Sequence, residues 1–75
     1  METTLNCLRP GCWAVVTEVN TEERIRSRLR DFGLVPGTRI TCRYRSPGGQ
    51  VTALGFRGTV VALRTRELRK IRVRF

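Results

Sequence analysis

Residues 28–38 read Arg-Leu-Arg-Asp-Phe-Gly-Leu-Val-Pro-Gly-Thr, and this run combines several strong local signals. Leu29 and Phe32 lie at helical spacing on an apolar stripe, so the run begins inside an amphipathic helix. Gly33 follows the last apolar position and can take the left-handed conformation that ends a helix. The Pro-Gly pair at 36–37 suits a type II turn, because proline presets the first φ and glycine accepts a positive second φ. The run therefore predicts a helix end, a tight turn and a return into a strand.

The helix that ends here is predicted to begin near position 20. Asn20 or Thr21 can cap it, because either side chain accepts a hydrogen bond from an unpaired amide of the first turn. Glu22 and Glu23 follow, in the turn where the helix dipole favours acids. Ile25 joins the apolar stripe, while most of the intervening arginines are left for the solvent side. We therefore expect a helix that packs one face only.

Stretches rich in β-branched residues, bounded by glycine and proline, predict five short strands. We place them at Cys12–Val19, Arg39–Arg45, Val51–Phe56, Thr59–Leu63 and Ile71–Phe75, with one helical turn at Thr65–Lys70 before the last strand. In the second strand, apolar and polar residues alternate. We expect Ile40, Cys42 and Tyr44 to face the core there.

A sheet of five short, twisted strands with one apolar face removes its edges by curling into a small barrel. The helix after the first strand and the helical turn before the last favour an SH3-like barrel over the OB-like alternative. With no linker or repeat, residues 1–75 are predicted to form a single domain of mainly β structure with one short helix. Such a small core leaves little room for a deep active site, so we expect binding by an outer surface.

The chain carries fifteen basic and six acidic residues, a formal charge of +9, and Lys70 is its only lysine. Such an excess favours an anionic partner, whether nucleic acid, acidic lipid or an acidic protein face. The last nineteen residues hold seven basic side chains and one acid, Glu67, which gives +6. The candidate anion-binding residues there are Arg64, Arg66, Arg69, Lys70, Arg72 and Arg74. The alternative is a solvated charged face that aids solubility.

The sequence holds no residue set typical of catalysis or metal binding. It has no histidine, the commonest general base, and no glycine-rich phosphate loop. Cys7, Cys12 and Cys42 are an odd number of cysteines, so we expect free thiols rather than a disulfide framework. Without histidine they fall short of a tetrahedral metal set, and Asp31 alone is a poor ferrous ligand. We expect neither enzymatic activity nor a cofactor.

Nothing in the sequence predicts insertion into a membrane. No run approaches the roughly 20 apolar residues of a membrane span, and the first residues lack the charged and apolar regions of a signal peptide. We therefore expect the protein to be cytoplasmic.

Two large aromatic residues, Trp13 and Tyr44, are of the type that lines peptide grooves or stacks on bases. In a small barrel, a tryptophan usually fills the interior or covers its open end. We expect at least one of the two in the core.

The motifs described above resemble those of the ferrous iron transport protein A (FeoA) family. Residues 28–38 are similar to the family's run of a helix-terminal leucine, an aspartate or serine, an apolar residue, Gly-Leu, any residue and Pro-Gly. Leu-Arg-Pro-Gly at 8–11 resembles the family's opening strand, and Val-Val-Ala-Leu-Arg at 60–64 its closing segment. The match covers most of the chain. It departs from the pattern at 46–51, where the family commonly shows an alanine-proline pair and then an aspartate-proline pair.

The resemblance implies an SH3-like cytoplasmic domain that assists FeoB, a membrane ferrous iron transporter with a GTP-hydrolysing domain, by protein contact. The stiff corner after the helix is a candidate contact surface, with Leu34 or Val35 as an exposed apolar knob. The candidate partner-binding residues are Leu29, Gly33, Leu34, Val35, Pro36 and Gly37. The same module also occurs attached to iron-dependent repressors. The alternative function is a basic barrel that binds nucleic acid non-specifically.

Overall fold

The structure is a computed structural model that describes residues 1–75. Six strands form most of it, namely β1 (Glu2–Thr4), β2 (Trp13–Val19), β3 (Arg39–Arg45), β4 (Val51–Phe56), β5 (Thr59–Arg64) and β6 (Ile71–Arg74). The helices are α1 (Glu23–Phe32), the single turn α2 (Thr65–Leu68) and a 3-10 turn at Leu5–Cys7. The mainly β composition with one short helix confirms the class predicted from the sequence.

All six strands belong to one antiparallel sheet, in the order β1-β6-β2-β3-β4-β5. The sheet has one strand more than the five predicted. That strand, β1, has only three residues and no alternation, and it is defined by its pairing with β6, where Glu2 lies opposite Arg74. The two edges of the sheet are β1 and β5.

The curled sheet encloses a core of fourteen buried residues. They are Leu5, Leu8, Ala14, Val16, Val19, Leu29, Leu34, Ile40, Cys42, Leu54, Phe56, Leu68, Ile71 and Val73. Leu29 is the only fully buried residue of α1. The helix is therefore attached to the core along one narrow stripe, which confirms that it packs one face only.

The end of α1 is a Schellman motif, as the glycine at position 33 predicts. Gly33 has a φ of 98°, and its N–H donates to the carbonyl of Arg30 (2.9 Å). The N–H of Leu34 donates to the carbonyl of Leu29 (2.9 Å). The Thr38 hydroxyl then donates to the carbonyl of Gly33 (2.9 Å), a contact that the sequence pattern did not predict. The corner after the helix is therefore fixed by both main-chain and side-chain hydrogen bonds.

The start of α1 differs from the prediction. Neither Asn20 nor Thr21 caps the helix, because Glu22 occupies the N-cap position and no side chain bonds the first-turn amides. The N–H of Asn20 donates to the carbonyl of Lys70 (2.7 Å), which ties this residue to the strand region instead. Thr21 is buried, with its hydroxyl unpartnered. The helix consequently begins at Glu23.

A β-bulge in β3 reverses the faces of its last residues. Pairing with β4 shifts between Cys42 and Tyr44, which makes Arg43 the extra residue. Ile40 and Cys42, before the bulge, are buried as predicted. Tyr44, after it, lies on the outer face with 63% of its surface exposed, so the prediction that it faces the core is wrong.

Arg45, the next residue, forms hydrogen bonds with the segment that precedes β2. Its Nη2 donates to the carbonyls of Asn6 (2.6 Å) and Leu8 (2.7 Å). A guanidinium bonded to two main-chain carbonyls forms charge-assisted hydrogen bonds, which are the stronger kind. Arg45 therefore joins the end of β3 to the segment that contributes Leu5 and Leu8 to the core.

Trp13 is exposed as well, at 48% of its surface. It lies opposite Thr41 on the outer face, because Ala14 and Val16 take the inward positions of β2. The guanidinium carbon of Arg39 lies 3.9 Å from the centroid of the Trp13 ring. The expectation that at least one of the two large aromatics fills the core is therefore wrong.

All three cysteines are free, in agreement with the sequence-based expectation. Cys42 is buried, and burial raises the pKa of its thiol. Cys7 and Cys12 are exposed. Hydrogen bonds from the side chains of Thr3 and Thr4 lower the pKa of the Cys7 thiol.

The loop between β3 and β4, where the sequence departs from the FeoA pattern, is closed by its own hydrogen bonds. The N–H of Ser46 donates to the carbonyl of Val51 (2.9 Å), and the N–H of Val51 donates to the Ser46 hydroxyl (3.1 Å). The Thr65 hydroxyl donates to the carbonyl of Gly49 (2.6 Å), which fastens the loop to the start of α2. This loop therefore keeps the hairpin closed without the family's second proline.

Candidate protein-docking groove between α1 and β5

A groove with a volume of about 380 Å³ runs between α1 and the edge strand β5. We refer to it as the α1–β5 groove. Apolar residues from both elements line it, namely Ile25, Leu29 and Phe32 from the helix and Val61, Ala62 and Leu63 from the strand. A helix stripe and a strand that are each only partly buried therefore leave apolar surface open between them.

The three apolar residues on the helix side of the groove differ in solvent exposure. Leu29 is buried, Ile25 is partly buried, and Phe32 is 49% exposed. The sequence predicted that Phe32 packs on the core with the other two. Leu34, directly after the helix-ending glycine, is buried in the core instead, and Phe32 remains at the groove.

The strand side of the groove has a free main-chain edge. β5 and β4 form a hairpin through Arg57 and Gly58, whose φ values are 50° and 76°. Immediately after β5, the N–H of Thr65 donates to the carbonyl of Gln50 (2.8 Å). Hydrogen-bonded positions alternate along an antiparallel strand, so every second residue back from Thr65 bonds to β4. The main-chain groups of Val60 and Ala62 therefore point away from β4, along the open edge.

The rim of the groove is basic. Four arginines and two glutamates line it, namely Arg24, Arg28, Arg64, Arg66, Glu22 and Glu67. Both glutamates are engaged, Glu22 with Arg24 (3.6 Å) and Glu67 with Arg66 (4.0 Å). Arg28 and Arg64 form no ion pair and carry the uncompensated charge of the rim.

The six candidate partner-binding residues predicted from the sequence, in the last turn of α1 and the corner after it, differ in their burial. Leu29 and Leu34 are 2% and 1% exposed. Of the two residues expected as an exposed knob, Leu34 or Val35, the structure therefore excludes Leu34. Its side chain fills the core position that the Schellman motif directs inward. Gly33 and Val35 are partly buried.

Two corner residues stay on the surface. Pro36 and Gly37 are exposed, and Pro36 lines a separate hollow with Val35 beside β2. Of the six predicted partner-binding residues, only Leu29 lines the α1–β5 groove.

The six predicted anion-binding residues do not lie on one element. Arg64 is on β5 and Arg66 on α2, and these two line a shallow hollow with Gln50. Arg69 and Lys70 follow α2, and the remaining pair, Arg72 and Arg74, lies on β6. Three strands, β2, β3 and β4, separate β6 from β5 in the sheet.

Ion pairs compensate part of this charge. Lys70 lies 3.5 Å from Glu67, and Arg72 lies 3.9 Å from Glu2. With Arg66, three of the six predicted residues are therefore paired with acids.

Residues 3–75 match the family model described as the FeoA domain. The chain belongs to the FeoA domain family. This agrees with the resemblance carried by residues 28–38. Among curated proteins, no significant match was found.

Solved structures place this FeoA-family chain in a common fold. The FeoA protein from Chlorobium tepidum has a TM-score of 0.94 at 32% identity, over 97% of this chain and 70% of that one. FeoA from Stenotrophomonas maltophilia, complexed with zinc and described as an SH3 domain protein, has a TM-score of 0.83 at 31% identity, over 95% and 88%. IdeR from T. acidophilum has a TM-score of 0.83 at 20% identity, and the alignment covers 97% of this chain and 33% of IdeR. At that identity the match shows a shared fold alone.

These findings confirm the SH3-like fold and the family that the sequence predicts, a family associated with ferrous iron transport. The structure of this FeoA-family member contains no group of three or more His, Cys, Asp and Glu side chains placed to hold a metal ion. None of its helices has the length and apolar character needed to cross a membrane.

Proposed function

We propose that this protein is a non-enzymatic accessory of ferrous iron uptake, and that it acts by protein contact with the cytoplasmic part of FeoB. Membership of the FeoA family supports the pathway. The α1–β5 groove supports contact as the mode of action, because it offers an outer surface for a partner rather than an enclosed site for a reaction.

The open edge of β5 beside this apolar groove is the observation that carries the proposal. An extended segment of a partner can add to such an edge as a further strand, with main-chain hydrogen bonds to Val60 and Ala62. Its alternate side chains then enter the groove over Val61 and Leu63, while the others stay in solvent.

The charge of the rim adds a second requirement. Arg28 and Arg64 form no ion pair in this protein, so a partner segment that places carboxylates beside them gains attraction without breaking an internal ion pair. The groove therefore fits an extended segment that combines apolar and acidic residues.

A titration with the cytoplasmic GTP-hydrolysing domain of the organism's own FeoB tests the proposal. We expect saturable binding that persists from about 50 to about 300 mM salt, since the apolar part of the contact is not screened. Reversal of the rim charge in Arg28→Glu/Arg64→Glu should weaken binding about tenfold.

The matched control is Arg69→Glu/Arg74→Glu, which changes the net charge equally at residues outside the groove. We expect it to bind nearly as well as the wild type. No association with FeoB and no change in GTP hydrolysis would contradict the proposed function, and an equal loss in both double variants would contradict the groove as the site.

A further inference from the structure

The outer face of the sheet, formed by β2 to β5, has a floor of small residues. One row across the strands pairs Trp13 with Thr41, Thr41 with Gly55, and Gly55 with Val60. The next row pairs Tyr44 with Ala53 and Ala53 with Ala62. Small side chains therefore occupy the centre of the face, and the two exposed aromatics lie on β2 and β3 at its side.

Three arginines surround a hollow of about 420 Å³ on this face. They are Arg39, Arg43 and Arg57, all exposed, and none of them forms an ion pair. No acidic residue lines the hollow. The protein therefore holds three uncompensated positive charges around one concavity.

Each of these arginines is positioned by a specific neighbour. Arg43, the bulge residue of β3, extends over Gly55, where an added Cβ would lie 3.2 Å from the Arg43 Cδ. Arg57 packs on Gly33, where an added Cβ would lie 2.7 Å from the Arg57 Cδ. Arg39 stacks on the Trp13 ring. The glycines and the aromatic ring therefore hold the guanidinium groups around the hollow.

We propose that this face, formed by Trp13, Arg39, Arg43, Tyr44 and Arg57, binds single-stranded nucleic acid. Planar guanidinium groups suit phosphate oxygens, which accounts for the three arginines. Bases stack on exposed aromatic rings and on guanidinium planes, which accounts for Tyr44 and for the stacked Trp13–Arg39 pair. The Arg43 side chain covers Gly55, and the small side chains of Ala53 and Ala62 beside it leave room for bases to approach the sheet.

Single strands fit this chemistry better than the other anionic partners. A duplex keeps its bases stacked inside and offers no ring face to Tyr44, and an acidic peptide does not pair each charge with a planar ring, as a single strand pairs each phosphate with a base. A lipid surface is flat, whereas the arginines surround a concavity.

The proposal goes beyond contact with FeoB. None of the five residues of this face lines the α1–β5 groove. The two surfaces can therefore be altered separately.

Fluorescence anisotropy with a labelled oligouridine of about 12 nucleotides, over about 50 to 300 mM salt, tests this proposal. We expect the logarithm of the binding constant to fall linearly with the logarithm of the salt concentration. Arg39→Gln/Arg43→Gln/Arg57→Gln should reduce the slope by about 2, since each phosphate contact to a single strand contributes about 0.7. Arg69→Gln/Arg72→Gln/Arg74→Gln removes the same charge elsewhere and should leave the slope nearly unchanged.

The chain has one tryptophan, so the emission of Trp13 reports directly on this face. We expect the oligonucleotide to quench this emission. Tyr44 is exposed, so Tyr44→Leu should leave folding intact, and we expect it to weaken binding about fivefold without changing the salt slope.

Equal effects of the two triple variants, or binding without any change in Trp13 emission, would overturn the proposal. Equal or tighter binding to a DNA duplex or to phosphatidylglycerol vesicles would overturn it too, as would the absence of binding at the lowest salt.

Discussion

Arg57 packs directly against the glycine that ends α1, and this contact makes the cost of a side chain at position 33 predictable. A Cβ at Gly33 would lie 2.7 Å from the Arg57 Cδ, whereas a Cβ at Gly37 would meet no atom within 4 Å. Both glycines have a positive φ, 98° and 94°. Gly37→Ala is therefore a matched control for Gly33→Ala, with the same backbone strain and no clash.

The expected magnitudes follow from these two effects. Left-handed backbone costs an alanine about 1–2 kcal/mol, and the reduced entropy of the unfolded chain returns about 0.4–1 kcal/mol. Gly37→Ala should therefore lower the free energy of unfolding by about 1 kcal/mol. Arg57 is exposed and its side chain can move aside, so its displacement adds only about 0.5 kcal/mol, and Gly33→Ala should lose about 1.5 kcal/mol. In a domain of this size, that loss lowers the melting temperature by about 6–12 °C.

Urea unfolding followed by far-UV circular dichroism measures both variants, and an Arg57→Ala background completes a double-mutant cycle. In that background the clash is gone, so Gly33→Ala should cost no more than Gly37→Ala. The coupling free energy between positions 33 and 57 should be about 0.5 kcal/mol. Equal costs for the two glycines in the wild-type chain, with no coupling to position 57, would refute the reasoning.

Three further predictions concern individual hydrogen bonds and thiols. Thr38→Val should lower the free energy of unfolding by about 1–2 kcal/mol in urea melts, because the carbonyl of Gly33 loses its donor. Thr38→Ser keeps the hydroxyl and should retain most of the wild-type stability. Arg45→Met should lower the free energy of unfolding by about 2–3 kcal/mol, since two main-chain carbonyls lose a charged donor. Arg43→Met, on the exposed bulge, is the control and should change it by at most about 0.5 kcal/mol. Similar costs for the two variants would contradict the role of Arg45 as a donor to these carbonyls. In native alkylation followed by mass spectrometry, Cys42 should stay unmodified until the chain unfolds, because it is buried and its pKa is raised. The Cys7 rate should reach its midpoint at a lower pH than in the unfolded chain, because the folded pKa is lowered and the thiolate forms earlier; a higher midpoint would count against the hydrogen bonds to its sulfur.

Local chemistry made part of the fold predictable from the sequence. The bounds of β3 and β4 agree with the structure, since glycine or proline lies on both sides of each strand. The end of α1 was equally predictable, because Gly33 and Pro36 determine it through their own backbone preferences.

Features that depend on distant pairing were missed. The bulge at Arg43 results from a shift in the pairing register between β3 and β4. It exposes Tyr44, although the alternation of apolar and polar residues in β3 predicts a core position. The strand at Glu2–Thr4 is defined by its partner β6. Sheet order likewise decides that β5 is an edge, so neither the α1–β5 groove nor its free main chain has a local signal in the sequence.

The sequence contains the charge excess as a total, but the arrangement of the charges in space could not be predicted from it. Sequence clustering drew attention to the basic residues after position 63, yet three of the six candidates there are paired with acids. The arginines that the fold gathers around one hollow come from positions 39, 43 and 57, which are spread along the chain.

The free edge of β5 is the feature on which the proposed contact with FeoB depends most, and Ala62→Pro tests it directly. The N–H of Ala62 points away from β4, so proline there removes no bond of the existing sheet but blocks the addition of a strand. Ala62→Ser keeps the N–H and serves as the control. In a titration with the FeoB GTP-hydrolysing domain, Ala62→Pro should weaken binding at least about tenfold while Ala62→Ser binds as the wild type does. Undiminished binding of a folded Ala62→Pro protein would contradict strand addition at this edge.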